Sequence, residues 1–293
     1  MKERKKWLIA WICLVLVLFV ASLLVPGNAK TETIQEAMRD AVLHETGKVS
    51  FFGLMDVNPG FISAVTVSAA LLLIAACIRI FAVPRFKMRP GRLQLLIEQL
   101  VSMFDNMAKT NSPHRNTFLG AYIFAAGVYI FVGTCFELFG VQAATTSGAT
   151  ITLPAPLSDV NAAIAMGCMS YLVILSGGIA QNGFRGVGST LKEFSLPISM
   201  SFRLFGALLS GLLVTELVYY YVNLSFVLPV VVGVMFTLLH ALIQSYVLTM
   251  LVALYYGEVS EVHEKKKKAS KKAEPEAAAE KGMHTVKINL KRV

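Results

Sequence analysis

Arg203 stands inside SFRLFGALLSG, residues 201 to 211, a stretch that otherwise reads as the middle of a membrane helix. A charge at the bilayer centre costs ~2.5 to 3.5 kcal/mol even on the insertion scale, so its presence asks for a partner. Few groups at membrane depth can supply one. Glu137, Asp159, Asn161 and Glu216 lie towards the outer ends of their apolar runs, and His240 falls near the middle of the last run. Thr237, His240 and Gln244 recur at three and four residues and therefore share one face of a helix. Carboxylates, an imidazole and an amide spread in depth around a fixed cation are the groups that could hand an ion across a membrane. They also fit plainer roles as a buried ion pair, interfacial acids and hydrogen-bonded core polar groups, and spacing alone leaves these open. Around the charge, Ser199, Gly206, Ala207 and Ser210 lie within about 40 to 60° of Arg203 on a helical wheel. That strip is small enough for another helix to approach closely.

The elements that must position these groups are membrane spans. The chain has 293 residues, 55% hydrophobic and only 15% charged, a balance unsuited to a soluble domain. Apolar runs near 7–25, 59–83, 117–141, 159–181, 194–221 and 226–256 reach or exceed the ~20 residues that cross the hydrocarbon as a helix. The expectation is an all-α polytopic membrane protein of about six spans. The last run, at 1.5 Å per residue, makes about 46 Å of helix and must tilt or be covered by protein. It follows the short connection VNLS, residues 222 to 225, so the last two spans should form a long tilted antiparallel hairpin. Pro229 sits in the first turn of the second, where it costs little.

The net charge of +9 is informative through its placement. Seven of the 27 Lys and Arg fall in 79–116 and ten in 258–293, whereas 142–158 and 222–225 hold none. The positive-inside rule then puts both termini, 79–116 and 182–193 in the cytoplasm, which an even number of spans satisfies. Residues 1–29 fit a retained first span or a cleavable signal peptide, and a retained span is the reading taken. Residues 30–58 form a polar extracytoplasmic segment, 59–261 the membrane domain, and 262–293 a low-complexity basic tail, solvated or in contact with lipid headgroups rather than nucleic acid.

Between the second and third spans, RPGRLQLLIEQLVSMFDNMAKT carries Leu93, Leu95, Leu96, Leu100, Val101, Phe104 and Met107 at helical spacing among polar residues. This predicts an amphipathic helix along the cytoplasmic membrane surface or against a partner. LPAPLSDVN, residues 153 to 161, reads as a turn in which Ser158 or Asp159 caps the fourth span. Cys13, Cys77, Cys135 and Cys168 sit within apolar runs without metal or redox spacing and act as small hydrophobes.

SLPISMSFRLFGALLSG resembles the arginine-bearing helix of subunit a of the F-type ATP synthase stator. QSYVLTMLVALYYGEVSE at 244–261 is similar to that family's final helix, PLSDVNAAIAM at 156–166 to its lead into the fourth span, and GRLQLLIEQLVSMFDNMAKT to its cytoplasmic amphipathic helix. The resemblance covers about residues 60 to 260. It implies that Arg203 is the essential stator arginine, Gln244 its polar neighbour, and Asp159 and Asn161 part of an outer half-channel. It also implies the c-ring rotor and subunit b as partners, in a bacterial inner membrane with the C-terminus cytoplasmic. No cofactor or metal follows from it.

The mechanism so implied moves ions, most simply protons, although a sodium-translocating version fits the same residues because selectivity resides mainly on the rotor. An ion would pass Glu137, Asp159, Asn161, Glu216 and His240, neutralise a ring carboxylate, ride the rotor and leave near Glu193 or Asn182. The fixed cation would hold a passing carboxylate ionised and block a direct leak. Nothing resembles G-x-x-x-x-G-K-[ST], so nucleotide chemistry would lie on other subunits. A secondary transporter and a structural scaffold are the rival classes, and no inverted repeat favours the first. Three positions depart from the family pattern: Ala207 stands where asparagine is usual, and Leu212 and Thr237 where an acid or histidine is often found. His240 and Glu216, each one turn away from a departure, are the candidates to take over.

Overall fold

A computed structural model of the chain describes residues 6–7, 11–14, 16–17, 20, 48–51, 55–113, 116–146, 150–220 and 228–261. Most of the first apolar run, all of residues 30–47, the VNLS connection and the tail 262–293 lie outside the described residues, and with them the choice between retained span and signal peptide. The described residues are overwhelmingly helical, as the apolar runs require. Among the described residues, four helical stretches are long and apolar enough to cross a membrane: Pro59–Arg85, Thr117–Phe139, Val160–Asn182 and Gly233–Val259. The helix that carries Arg203, of 26 residues, reaches about 39 Å and is also long enough. The chain is therefore a multi-pass membrane protein.

Two short hairpins that the apolar pattern did not announce lie before the first described span and between the next two. Strands β1 (Val49–Phe51) and β2 (Met55–Val57) pair antiparallel with Val49 opposite Val57. Strands β3 (Gln142–Ala144) and β4 (Thr150–Thr152) pair with Ala143 opposite Ile151. The Thr146 N–H donates to the Lys48 carbonyl at 3.1 Å, tying the two hairpins together. Helix α1 (Pro59–Cys77) starts where Asn58 accepts from the Gly60 N–H at 2.9 Å, with Pro59 at the first helical position. It packs through its first turns, where Ser63 and Val67 are buried, while Leu72, Leu73 and Ile74 stay exposed. A helix that is apolar all round and little covered by its own chain belongs against lipid. Its end loosens into a π-helical turn, Ile78–Ala82, and a 3₁₀ turn, Val83–Arg85, at the proline.

The predicted amphipathic helix forms as α2 (Arg92–Asn111). Its two halves differ. Phe104 and Ala108 are buried in the bundle, whereas Leu93, Leu95, Leu96 and Leu100 remain exposed, as suits a helix whose first half lies in a membrane interface. Helix α3 (Thr117–Phe136) ends in the 3₁₀ turn Glu137–Phe139, and α4 (Val160–Asn182) begins after the turn Pro156–Ser158. Of the two predicted caps, Asp159 does the work: its side chain accepts from the Asn161 N–H at 2.9 Å, while Ser158 donates to Ala155. Gly183, at φ 57°, ψ −141°, turns the chain from α4 into the short α5 (Phe184–Leu191) in a conformation open to glycine.

Helices α6 (Ser195–Tyr220) and α7 (Leu228–Val259) complete the bundle. At 32 residues α7 is even longer than its apolar run. It packs most extensively on α3, and α6 on α4, so the last two helices are braced from outside as much as by each other. Ser245 of α7 donates to the Gly127 carbonyl of α3 at 2.8 Å. Between α4 and α6, Gly167 allows contact that no larger residue could: a Cβ there would collide with the Ser201 hydroxyl and the Pro197 carbonyl. The core runs through Ile123, Ile130, Ile174, Leu204, Leu248 and Val252.

Gly167→Val should therefore push α6 from α4 and cost about 1 to 3 kcal/mol, the usual cost of overpacking. A melting midpoint in neutral detergent equal to that of the parent would show that the helices are not in this contact.

Candidate functional site

The site is built on two faces of α6. Leu196, Met200, Leu204 and Leu208, four residues apart, form a buried ridge that anchors the helix in the bundle. Ser199, Arg203, Gly206 and Ser210 are exposed on the other side, with Ala207 half-buried at the edge. The small strip expected around the charge is thus presented outward. Arg203 forms no ion pair with any described residue, so the buried structural pair weighed from the sequence does not form among them.

Behind this strip α7 supplies the polar groups. Gln244 is buried, and its Nε2 donates to the main-chain carbonyl of Arg203 at 3.3 Å. The contact reaches the backbone of the arginine, and Gln244 Oε1 is a buried acceptor without a partner among the described residues. An amide that cannot satisfy itself beside a guanidinium-bearing turn keeps polarity available there. The register between the helices is antiparallel: Arg203 meets Gln244, while Ala207 and Gly211, further along α6, share a recess with His240 and Phe236, earlier on α7.

That recess is lined by Thr134, Glu137, Ala207, Leu208, Thr237 and His240, and leaves about 10 Å³, the space of roughly one water. It gathers two of the predicted ion-handling residues, Glu137 and His240, against two of the positions that depart from the family pattern, Ala207 and Thr237. The His240 ring lies 5.9 Å from that of Phe236, tilted by 33°. Thr134, whose hydroxyl donates to the Ile130 carbonyl at 2.7 Å, was missed by sequence reasoning. Its place three residues before Glu137, on the same helix face, was the available signal.

Other predicted residues go elsewhere. Asp159 lies against the start of α1, where a Cβ on Gly60 would come within 3.1 Å of the Asp159 Cβ, and Asn161 is exposed two residues on. Neither lines the recess. Glu216 and Leu212 are on α6, with side chains outside the described residues. At the opposite end of the bundle Asn182 spends its amide on the carbonyls of Val259 and Glu261, both at 3.1 Å, and so fastens the end of α7. Glu193 is half-buried in the turn before α6.

Gln244→Leu removes one long hydrogen bond and one unpartnered oxygen together. These effects oppose each other, so the melting midpoint in detergent should correspond to a change within about 1 kcal/mol. A loss of several kcal/mol would mean that Gln244 holds the fold rather than the surroundings of Arg203.

Comparison with known families places this architecture. The model of the ATP synthase A chain family matches residues 63–257. Proteins named ATP synthase subunit a from two strains of Cereibacter sphaeroides are each 26% identical over 208 residues, covering 67% of this chain and 80% of the relative.

Proposed function

Because this chain belongs to the ATP synthase A chain family, we propose that it is the ion-translocating stator subunit of that membrane complex, with Arg203 as the fixed charge facing a rotor of carboxylate-bearing helices. The observation that carries the reading is the open small-residue strip, in which an exposed arginine has no acid from its own described residues. A cation on a close-approach surface calls for an acid on whatever approaches it. Membrane association with the other subunits of the complex follows from family membership, and the rotor ring and subunit b are the specific partners in this reading.

The chemistry then runs from physical requirements. Arg203 stabilises the ionised form of a passing carboxylate and so obliges it to release its ion before it crosses the arginine. Free cations are repelled at the same point, which separates the two half-channels. Glu137 and His240, with the Thr134 and Thr237 hydroxyls, form the outer relay around the one-water recess, replacing the polar groups that Ala207 and Leu212 lack. Asp159 and Asn161 belong to the outer mouth and Glu216 to the same side of the membrane. The ion is a proton in this reading, since an imidazole beside a carboxylate and hydroxyls suits proton transfer. Each elementary charge that crosses delivers ~2.3 kcal/mol per 100 mV, so ATP synthesis needs several per turn. The dense basic segments support a cytoplasmic C-terminus, and the membrane in this reading is a bacterial inner membrane.

Arg203→Ala, with the subunit present in membranes at parental level, should abolish ATP-driven ion pumping, and unaltered pumping overturns the channel role. Ala207→Cys or Ser210→Cys should crosslink to a rotor helix, and failure at every strip position counts against the facing. His240→Leu should slow pumping by more than about tenfold, because an apolar group in so tight a polar recess withdraws about 1.4 kcal/mol or more of ion stabilisation. Stimulation of the ATPase by sodium would replace the proton with sodium in all of this.

A further inference from the structure

We infer that the junction between the end of α1 and the start of α2 is a binding site for an anionic phospholipid headgroup of the membrane leaflet. A cavity of about 570 Å³ opens there, in the size range of small-molecule sites. Arg85, Lys87, Arg89 and Arg92 line it, all four exposed and none ion-paired with a described residue. From Val57 to Ile97 the sequence has no Asp or Glu, so no local acid offsets this charge. Glu98, one turn beyond, instead accepts from the Gln94 amide at 2.7 Å.

The cavity is held in shape. Gln94 accepts from the Lys87 N–H and donates to the Lys87 carbonyl, both at 3.0 Å, pinning the connecting loop to the first turn of α2. Gly91 begins that helix with no side chain to cap it, leaving the first N–H groups of α2 to add their positive end to the four cations. Phosphate is the group that this donor set matches, arginine in particular through its paired N–H groups.

A lipid, rather than free phosphate, is the source because the cations share the cavity with apolar surface. Phe81 and Leu93 line the same space and are 59% and 63% exposed. The cavity also lies where a membrane span ends and a helix with exposed Leu95 and Leu96 begins, which is headgroup height. Basic pockets of this kind at the ends of spans recognise anionic headgroups, each cation near the surface contributing about 1 kcal/mol. A bound lipid would fasten α2 to the membrane at the loop that leads into the bundle.

The test uses the full chain extracted from vesicles of phosphatidylcholine mixed with phosphatidylglycerol, with retained lipid counted by native mass spectrometry. The parent should retain phosphatidylglycerol in preference, and each of Arg85→Gln, Arg89→Gln and Arg92→Gln should lower that preference about fivefold. Arg89→Lys should keep most of it, which separates charge from misfolding. Lys109→Gln, on the same helix but paired with Asp105, should leave it unchanged. An unchanged ratio in the triple Gln variant overturns the site, as does an equal loss in Lys109→Gln. Displacement of phosphatidylglycerol by excess inorganic phosphate would overturn the lipid as its ligand.

Discussion

An arginine at membrane depth with no ion-paired acid among the described residues is the constraint on which the remaining structure turns. A guanidinium cannot be neutralised by losing its proton, so its cost in hydrocarbon must be met by neighbours or by a partner. Within the described residues the neighbours contribute little: the Gln244 amide reaches the Arg203 carbonyl, and the side chain itself stays exposed. The fold therefore holds the charge in place without neutralising it, which is the condition for acting on an acid carried by another chain. In the proposed reading that acid belongs to the rotor.

Holding such a charge at a fixed position requires a stiff backing, and close packing supplies it. The Leu196, Met200, Leu204 and Leu208 ridge locks α6 onto the bundle, and Gly167 lets α4 approach near Ser201, two residues from the arginine. On α7, Ser245 is tied to the α3 backbone immediately after Gln244, so the amide that touches α6 is itself anchored from behind. Close packing and interhelical hydrogen bonds, rather than hydrophobic association, order helices in lipid, which explains why small residues and single hydrogen bonds recur at these contacts.

The departures from the family pattern gain a physical setting. Ala207 leaves open the space in which Thr134, Glu137, Thr237 and His240 meet, and a larger side chain there would fill a recess of about one water. Polarity missing from α6 is thus available from α3 and α7 around the same point. Asp159 follows a different logic, with its carboxylate engaged in capping α4 beside the start of α1, away from the recess. Its place at the outer mouth rests on chain position, whereas Glu137 and His240 are brought together by the fold.

By itself the sequence determined what local periodicity and composition carry: apolar runs long enough to span, the amphipathic α2, a cap on α4 at Ser158 or Asp159, and the small strip beside Arg203. Each depends on residues within a few turns of one another, where helical geometry fixes the outcome. The two hairpins escaped because strands of three residues hold too few alternations to register as a pattern. Only the tertiary structure decided which polar residues meet, since Glu137 and His240 are 103 positions apart in the chain and their distance depends on the α3 to α7 packing. It also decided that Gln244 reaches the arginine through its backbone and that Asn182 fastens the end of α7. The cationic cavity required both kinds of information: the sequence supplied a basic stretch without acids, and the pinning of the loop to the first turn of α2 gathered that stretch around one open cavity.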